Sequence, residues 1–166
     1  MSFAVMQPYL FPYLGYYQLV SAVDEFVFYD DVTFIKGGYI NRNNILSNGK
    51  AQRFTIPVPG MSSNTLINEL SFDKNVKKTL KTIEQSYKKA PYFEHVYPLI
   101  ESVLKDENRR VEHICAKSIS VVFEYLGINK DFHFSSELEY NRDLSAADKL
   151  IAMADVLKSS DYINSP

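Results

Sequence analysis

At 166 residues, 46% apolar and 23% charged, the chain has material for one compact domain with a continuous core and too little for two of ordinary size. A formal net charge of −2 supplies no field that would draw in nucleic acid or an anionic membrane, so neither is expected as a partner. No apolar run is long enough to span a bilayer, no basic segment opens the chain as in a secretory signal, and the single cysteine, Cys115, excludes a disulfide framework. Together these point to the cytoplasm.

The first elements read clearly. Phe3 to Met6 is a short apolar run closed by Gln7-Pro8, a buried first strand. Pro8 and Pro12 fix the backbone of Tyr9-Leu10-Phe11-Pro12-Tyr13 and keep it out of a helix interior. Gly15 opens a stretch from Tyr16 to Val23 that suits a short helix. Glu25 to Tyr29 returns to strand character, and Asp30-Asp31 ends it. Strand, irregular loop, helix, strand is the outline of a βαβ crossover.

Val32 to Gly49 carries turn chemistry, Gly37-Gly38 and Asn48-Gly49, with short extended pieces at Tyr39-Ile40 and Ile45-Leu46. Arg53 to Val58 alternates, with Phe54, Ile56 and Val58 on one side, and predicts a strand. After the loop around Pro59-Gly60, a further strand is expected over Ile67 to Phe72. The period then becomes helical: Val76, Leu80, Ile83 and Tyr87 share one face, and Pro91 ends that helix. A second helix is expected over Tyr92 to Leu104. A third runs from Val111 to Leu126 through Ile114, Cys115, Ser118 and Ile119, with Gly127 as its cap. The basic clusters Lys77-Lys78 and Lys88-Lys89 lie beside acids and read as solvated faces. Asp131 to Ser135 predicts a short strand. A last helix starts at Ser145, with Asp148 at capping-box spacing, and Asp161 to Asn164 predicts a final strand.

The order predicts a three-layer α/β domain over residues 1–166, with a largely parallel core sheet, an antiparallel β insertion and a helical segment. The chain stops at Ser165-Pro166 directly after a strand, which reads as a truncated C-terminus.

In open α/β sheets ligands bind beyond the carboxyl ends of the strands. Parallel pairing would bring Gln7 to Tyr16, Asp30 to Lys36, Asn164-Ser165 and Ser135 to Asp148 to one edge. There the helix N-terminus at Ser145 would offer N–H groups to an anion. Gln7, Tyr9, Tyr13, Tyr16 and Tyr17 give donors, acceptors and flat faces suited to a sugar or a base. The same tyrosines suit plain core filling, each hydroxyl finding a partner. Asp30-Asp31 could bind a metal or a sugar hydroxyl or act as a base, and could equally be the turn that ends a strand. Lys36 and Arg42 suit phosphate or carboxylate, the guanidinium by its fork of donors. Asn41, Asn43 and Asn44 make a dense hydrogen-bonding patch around that arginine, or serve turns.

Other chemistries find little support. His95, His113 and His133 have no second ligand at metal spacing, so no metal site is expected. Cys115 lies on a buried stripe and reads as core. The chain carries no nucleophile elbow, no phosphate-binding loop and no dinucleotide fingerprint. A P-loop NTPase and a standard NAD-dependent dehydrogenase are therefore disfavoured, and no cofactor is named by the residues.

Several motifs in order resemble the WbqC-like family. They are Met6-Gln7-Pro8-Tyr9-Leu10-Phe11-Pro12-Tyr13-Leu14-Gly15-Tyr16, Asp30-Asp31-Val32, Ile35-Lys36 and Asn41-Arg42-Asn43. Further on come Phe54-Thr55-Ile56-Pro57-Val58, Tyr87-Lys88-Lys89-Ala90-Pro91-Tyr92-Phe93 and Asp161-Tyr162-Ile163-Asn164-Ser165-Pro166. Two departures stand out. Many relatives carry histidine before Gln-Pro, where this chain has Met6, and relatives continue past the final Asn-Ser-Pro. The resemblance implies a role in surface-polysaccharide (O-antigen) biosynthesis, as a glycine or acyl transferase acting on a sugar or nucleotide-sugar. It marks Gln7, Tyr9, Gly15, Tyr16, Asp30, Lys36, Asn41, Arg42 and Asn43 as motif positions. The expected roles are Asp30 or Asp31 as base on an amine or hydroxyl acceptor, Lys36 and Arg42 on an anionic donor, and loop tyrosines as a sugar platform. Two other classes stay open. One is a nucleotidylyltransferase-like enzyme, suggested by the N-terminal outline although its two-histidine motif is missing. The other is a noncatalytic sugar-binding module or partner subunit of a polysaccharide enzyme, and a homo-oligomer is also compatible with the sequence.

Overall fold

The computed structural model describes residues 1–164. Its elements, in chain order, are β1 (Ser2–Met6), α1 (Leu14–Ala22), β2 (Glu25–Phe28), β3 (Arg42–Ser47), β4 (Lys50–Thr55), α2 (Lys77–Tyr87), α3 (Phe93–Leu104), α4 (Val111–Tyr125), β5 (Asp131–Phe134), α5 (Ala146–Leu157) and β6 (Asp161–Tyr162). Four strands form one sheet in the order β5-β2-β1-β6, and every pairing is parallel. The expected α/β class with a parallel core sheet is what the chain adopts.

Both faces of that sheet are covered. Side chains alternate along a strand, so β1 divides its residues between two cores. Ala4 and Met6 turn to a cluster built with Tyr16, Leu19 and Val20 of α1 and Ile119 and Phe123 of α4. Phe3 and Val5 turn the other way, onto Met153, Leu150 and Ala154 of α5. The central rings of β2 are fully buried: Phe26 lies 5.4 Å from Tyr16 and 5.2 Å from Phe28, centroid to centroid. A third and larger cluster joins the β3–β4 hairpin, α2, α3 and the remaining face of α4, with Ile56, Ile83, Leu104 and Ile114 among its buried members.

The antiparallel insertion is a two-stranded sheet of its own, β3 with β4. Asn48 and Gly49 connect it with both φ values positive, 51° and 74°, the backbone that a two-residue hairpin needs for its twist. The strand expected over Arg53 to Val58 lies earlier in the chain. The ladder covers Lys50–Thr55; beyond it the Ile56 N–H still reaches the Asn41 carbonyl at 2.9 Å, but the Ile56 carbonyl takes the Asn41 side-chain amide at 3.0 Å in place of a backbone N–H. The predicted phase survives beyond the ladder, since Ile56 and Val58 are buried. Ile67 to Phe72 is not a regular strand. Ile67–Glu69 is a turn of 3₁₀ helix, closed by the Glu69 carboxylate accepting the Leu66 N–H at 3.1 Å. The N–H groups of Ile67 and Asn68 go instead to the carbonyls of Val32 and Asp30, at 2.9 and 3.0 Å. Local hydrogen bonding and an irregular partner segment outweigh β propensity here. β6 is shorter than expected, and Ser165-Pro166 lie outside the described residues.

Two helix ends follow their sequence signals. Gly127, at φ 69°, ends α4 in a Schellman motif: the Ile128 N–H reaches the Phe123 carbonyl at 2.9 Å and the Gly127 N–H the Glu124 carbonyl at 3.0 Å. Ser145 caps α5, accepting the Asp148 N–H at 3.3 Å. Phe26 is the ring on which strand, α1 and β5 all lean. Phe26→Ala is expected to lower unfolding free energy by about 3–5 kcal/mol, read as a lower midpoint in urea at unchanged slope.

Candidate functional site at the carboxyl edge of the sheet

Where a ladder runs out, the next backbone N–H groups need other acceptors. After β2, the Tyr29 N–H still reaches the Met6 carbonyl at 2.8 Å. Those of Asp30 and Asp31 turn to one side-chain oxygen, Ser135 Oγ just beyond β5, at 3.1 and 3.5 Å. The same oxygen lies 3.0 Å from Asp30 Oδ1 and also contacts Asp31 Oδ1. A serine has one proton to give, so it donates to one of the two carboxylates at a time. Asp30 accepts in addition the Ser136 N–H at 2.9 Å and the Ser136 hydroxyl at 2.6 Å, and is 1% exposed. Asp31 accepts the Tyr140 hydroxyl at 2.8 Å and Arg142 Nε at 3.1 Å. Arg142 lies over the Tyr140 ring at 4.6 Å, and its Nη2 donates to the carbonyls of Ser135, Ser136 and Leu138. Burial, then the hydrogen bond to Asp31, pushes the Tyr140 hydroxyl well above the ordinary tyrosine range and keeps it a donor. The result is a pair of adjacent carboxylates held from two strands and the segment after β5.

A cavity of about 360 Å³ opens beside Asp30. Arg110, Glu112 and His113 at the start of α4 form one wall, and Ser136 and Glu137 the other. Glu112 is 5% exposed; one of its oxygens takes Arg110 Nε, and Oε2 has no partner among the described residues. Burial, assisted by the charge of Asp30, outweighs Arg110 and raises the Glu112 carboxyl above its usual range. A wider cavity, about 790 Å³, opens at the opposite edge beside Asp24, Glu25 and Lys130. Parallel sheets offer strand ends and loop N–H groups at the carboxyl edge, so the smaller cavity is the better candidate.

The loop after β1 is tied down at several backbone atoms. Leu10 N–H reaches the Ile40 carbonyl at 3.2 Å and Phe11 N–H reaches Ser118 Oγ at 3.0 Å. Asn43 Nδ2 donates to the carbonyls of Leu10 and Phe11, and the Tyr16 hydroxyl donates to the Gln7 carbonyl at 2.9 Å. Tyr16 has no exposed surface, and burial raises its hydroxyl well above the ordinary range, so it supports the loop from beneath. Tyr17 donates to the Ser118 carbonyl and is raised to about 12 by burial. Tyr9 is half-buried, 5.9 Å from the Tyr16 ring, and Tyr13 is exposed. A Cβ at Gly15 would come within 2.4 Å of the exposed Tyr13 ring, so a side chain there would require that ring to turn away. Of the predicted aromatic platform, Tyr9 and Tyr13 keep an open face.

The Asn-Arg-Asn segment divides its labour. Asn41 is buried and donates to the Ile56 carbonyl at 3.0 Å, while Asn43 grips the loop. Arg42 lies between them, beside Gly37, and its buried Nε has no partner among the described residues. Lys36 is exposed on the same excursion. Ser145 has its hydroxyl on Asp148 Oδ2 at 2.6 Å, so it serves its own helix. Asn164 is exposed beyond β6. Cys115 is buried in α4, donating to the Ile40 carbonyl at 3.4 Å, and burial holds it as a thiol. His133 pairs with Glu25 on the neighbouring strand, and His113 lies 3.5 Å from Asp106. Among the described residues no group of three or more His, Cys, Asp or Glu is arranged to hold a metal ion.

Sequence reading brings the stretch from Ser135 to Asp148 to this edge but does not single out Ser135, Ser136, Tyr140 or Arg142 within it, and it misses Glu112. Two serines directly after a parallel strand were a usable signal. Glu112 gave none, being one residue off an apolar stripe. The raised Glu112 carboxyl makes a signed prediction. Protonation favours the folded state, so its contribution is present in acid and lost as pH rises through the raised value. Glu112→Gln should therefore gain stability relative to the parent between about pH 4 and pH 7. Urea midpoints at the two pH values check this, and a constant difference would refute it.

The sequence itself has relatives. The model of the WbqC-like protein family matches residues 7–166. An uncharacterized protein of Mycobacterium tuberculosis (strain ATCC 25618 / H37Rv) is 23% identical over 167 residues, covering 98% of this chain and 71% of that protein. No solved structure matches. With a parallel sheet whose carboxyl edge gathers the Gln-Pro loop and the Asp-Asp pair, and a family match over nearly its whole length, the chain belongs to the WbqC-like protein family.

Proposed function

We propose that the chain is a transferase that moves a glycyl or other acyl group from an anionic donor to a sugar or amino sugar, in cytoplasmic steps of surface-polysaccharide (O-antigen) assembly. The observation that carries this reading is the pair of adjacent carboxylates at the sheet edge, one of them, Asp30, lining a cavity. The family match supports the polysaccharide context. In the proposed step an acceptor amine or hydroxyl attacks the acyl carbon and gives its proton to Asp30 or Asp31. The bond to the donor's leaving group breaks, and Lys36 and Arg42 hold the anionic part of the donor. The Arg42 Nε, buried and without a partner among the described residues, favours that assignment, since a buried guanidinium donor without an acceptor is costly in the free protein. Tyr9 and Tyr13 offer the faces on which a sugar ring would rest, and Gln7 and Gly15 shape the loop that carries them.

No helix among the described residues is long and apolar enough to cross a membrane. The test is transfer from glycyl and acyl donors to nucleotide-sugars, with product mass and pyrophosphate release followed together. Asp30→Asn or Asp31→Asn is expected to lower kcat by about 100-fold or more, the usual scale of general-base loss. Arg42→Ala should raise KM for the donor. Full turnover in both aspartate variants would end the base assignment. Pyrophosphate without an acylated product would mean nucleotidyl transfer, and saturable sugar binding without turnover would mean a binding module.

A further inference from the structure

We propose that a second, separate cavity, between the β3–β4 hairpin and the α2–α3 pair, binds an aliphatic chain with an uncharged polar head. It goes beyond the transfer reading and does not rest on it. The cavity measures about 310 Å³, near the lower end of small-molecule sites at about 300–1,000 Å³. Ile45 and Phe54 of the hairpin form one side, Ile83 of α2 another, and Val96 and Ile100 of α3 a third. No carboxylate, ammonium or guanidinium lines it, which excludes a nucleotide or a sugar phosphate.

Protein interiors close on empty apolar space, because an unfilled void forfeits dispersion contacts. Three of the rings that line it are tied to neighbours. The Tyr87 hydroxyl accepts the Leu46 N–H at 2.8 Å, and Phe93 stacks on Tyr97 at 4.9 Å. Phe11 stands at φ 46°, a left-handed backbone unusual for an aromatic residue, with its carbonyl gripped by Asn43. Tyr92, just before α3, is also left-handed at φ 62°. Strained backbone of this kind gathers at ligand sites, where the surroundings over-determine it. The Asn43 amide is spent on loop carbonyls, and the polar groups left open on the wall are all uncharged: the Tyr97 hydroxyl, the Tyr87 hydroxyl proton and, at the rim, the exposed Asn44 carboxamide, which has no hydrogen-bond partner among the described residues. A carboxamide both donates and accepts, and suits a neutral amide, ester or hydroxyl head at the rim.

The experiment titrates the full chain with butanamide, hexanamide and octanamide by calorimetry. Affinity is expected to rise about fourfold per added methylene, the transfer value of a buried CH₂. Octanoate should bind at least tenfold more weakly than octanamide. Val96→Trp and Ala90→Trp, both at exposed positions on the cavity wall, should each cost tenfold or more in octanamide affinity, with thermal melting as the check on folding. The parent has no tryptophan, so Phe93→Trp adds a unique fluorophore whose emission octanamide should shift. Absence of saturable octanamide binding, affinity flat with chain length, octanoate binding as tightly as octanamide, or an unmoved emission from the Phe93→Trp variant would overturn the proposal. So would unchanged affinity in whichever filled variant folds. Each readout is binding alone, so a failure of the transfer assay leaves it standing.

Discussion

Parallel pairing of β2 between β1 and β5 is the constraint from which the rest of the molecule follows. All three strands run out at the same edge, and the backbone donors left over there must find acceptors in a nearly buried place. Asp30 and Asp31 solve this through Ser135, 105 and 104 residues away along the chain. One hydroxyl thus serves two backbone N–H groups and two carboxylates. Removing such a hub leaves several buried polar atoms without partners, each worth about 1–3 kcal/mol. The carboxylate pair and the integrity of the sheet edge are therefore one feature.

Burial separates residues that look alike in the sequence. Tyr13 and Tyr16 lie three positions apart, and one is exposed while the other has no surface at all. Their difference follows from the start of α1: Tyr16 falls on the face that meets Phe26, and Tyr13 precedes the helix. Asn41 and Asn43 flank Arg42 and both spend their amides on backbone carbonyls, Ile56 on one side and Leu10-Phe11 on the other. What looks like a polar patch around an arginine is a pair of backbone ties on either side of it, and the Arg42 Nε has no partner among the described residues.

The Asn43 contact also connects distant parts of the structure. The loop it grips leads into the sheet edge on one side, while Phe11 of the same loop forms a wall of the apolar cavity on the other. A left-handed Phe11 is tolerated because Asn43, Ser118 and Ile40 fix the loop from three directions. Over-determined strain of this kind makes the loop a stiff wall of the apolar cavity.

Much of the fold was legible because it depends on short-range pattern. Periodicity located three of the five helices, short apolar runs most strands, proline and glycine several of their ends, and Ser145 with Asp148 announced a cap that the structure contains. Family motifs could likewise be read from residue identity alone. The strand expected at Ile67 was not legible, because its hydrogen bonds go to Val32 and Asp30, partners that no local pattern reveals. The site divided in the same way. Asp30 and Asp31 stood out by type and position, since charge near a strand end is visible in the chain. Glu112, Ser136, Tyr140 and Arg142 joined them only in three dimensions, because which side chain completes a carboxylate's hydrogen bonds is decided by the packing of α4 and β5 against a strand a hundred residues earlier.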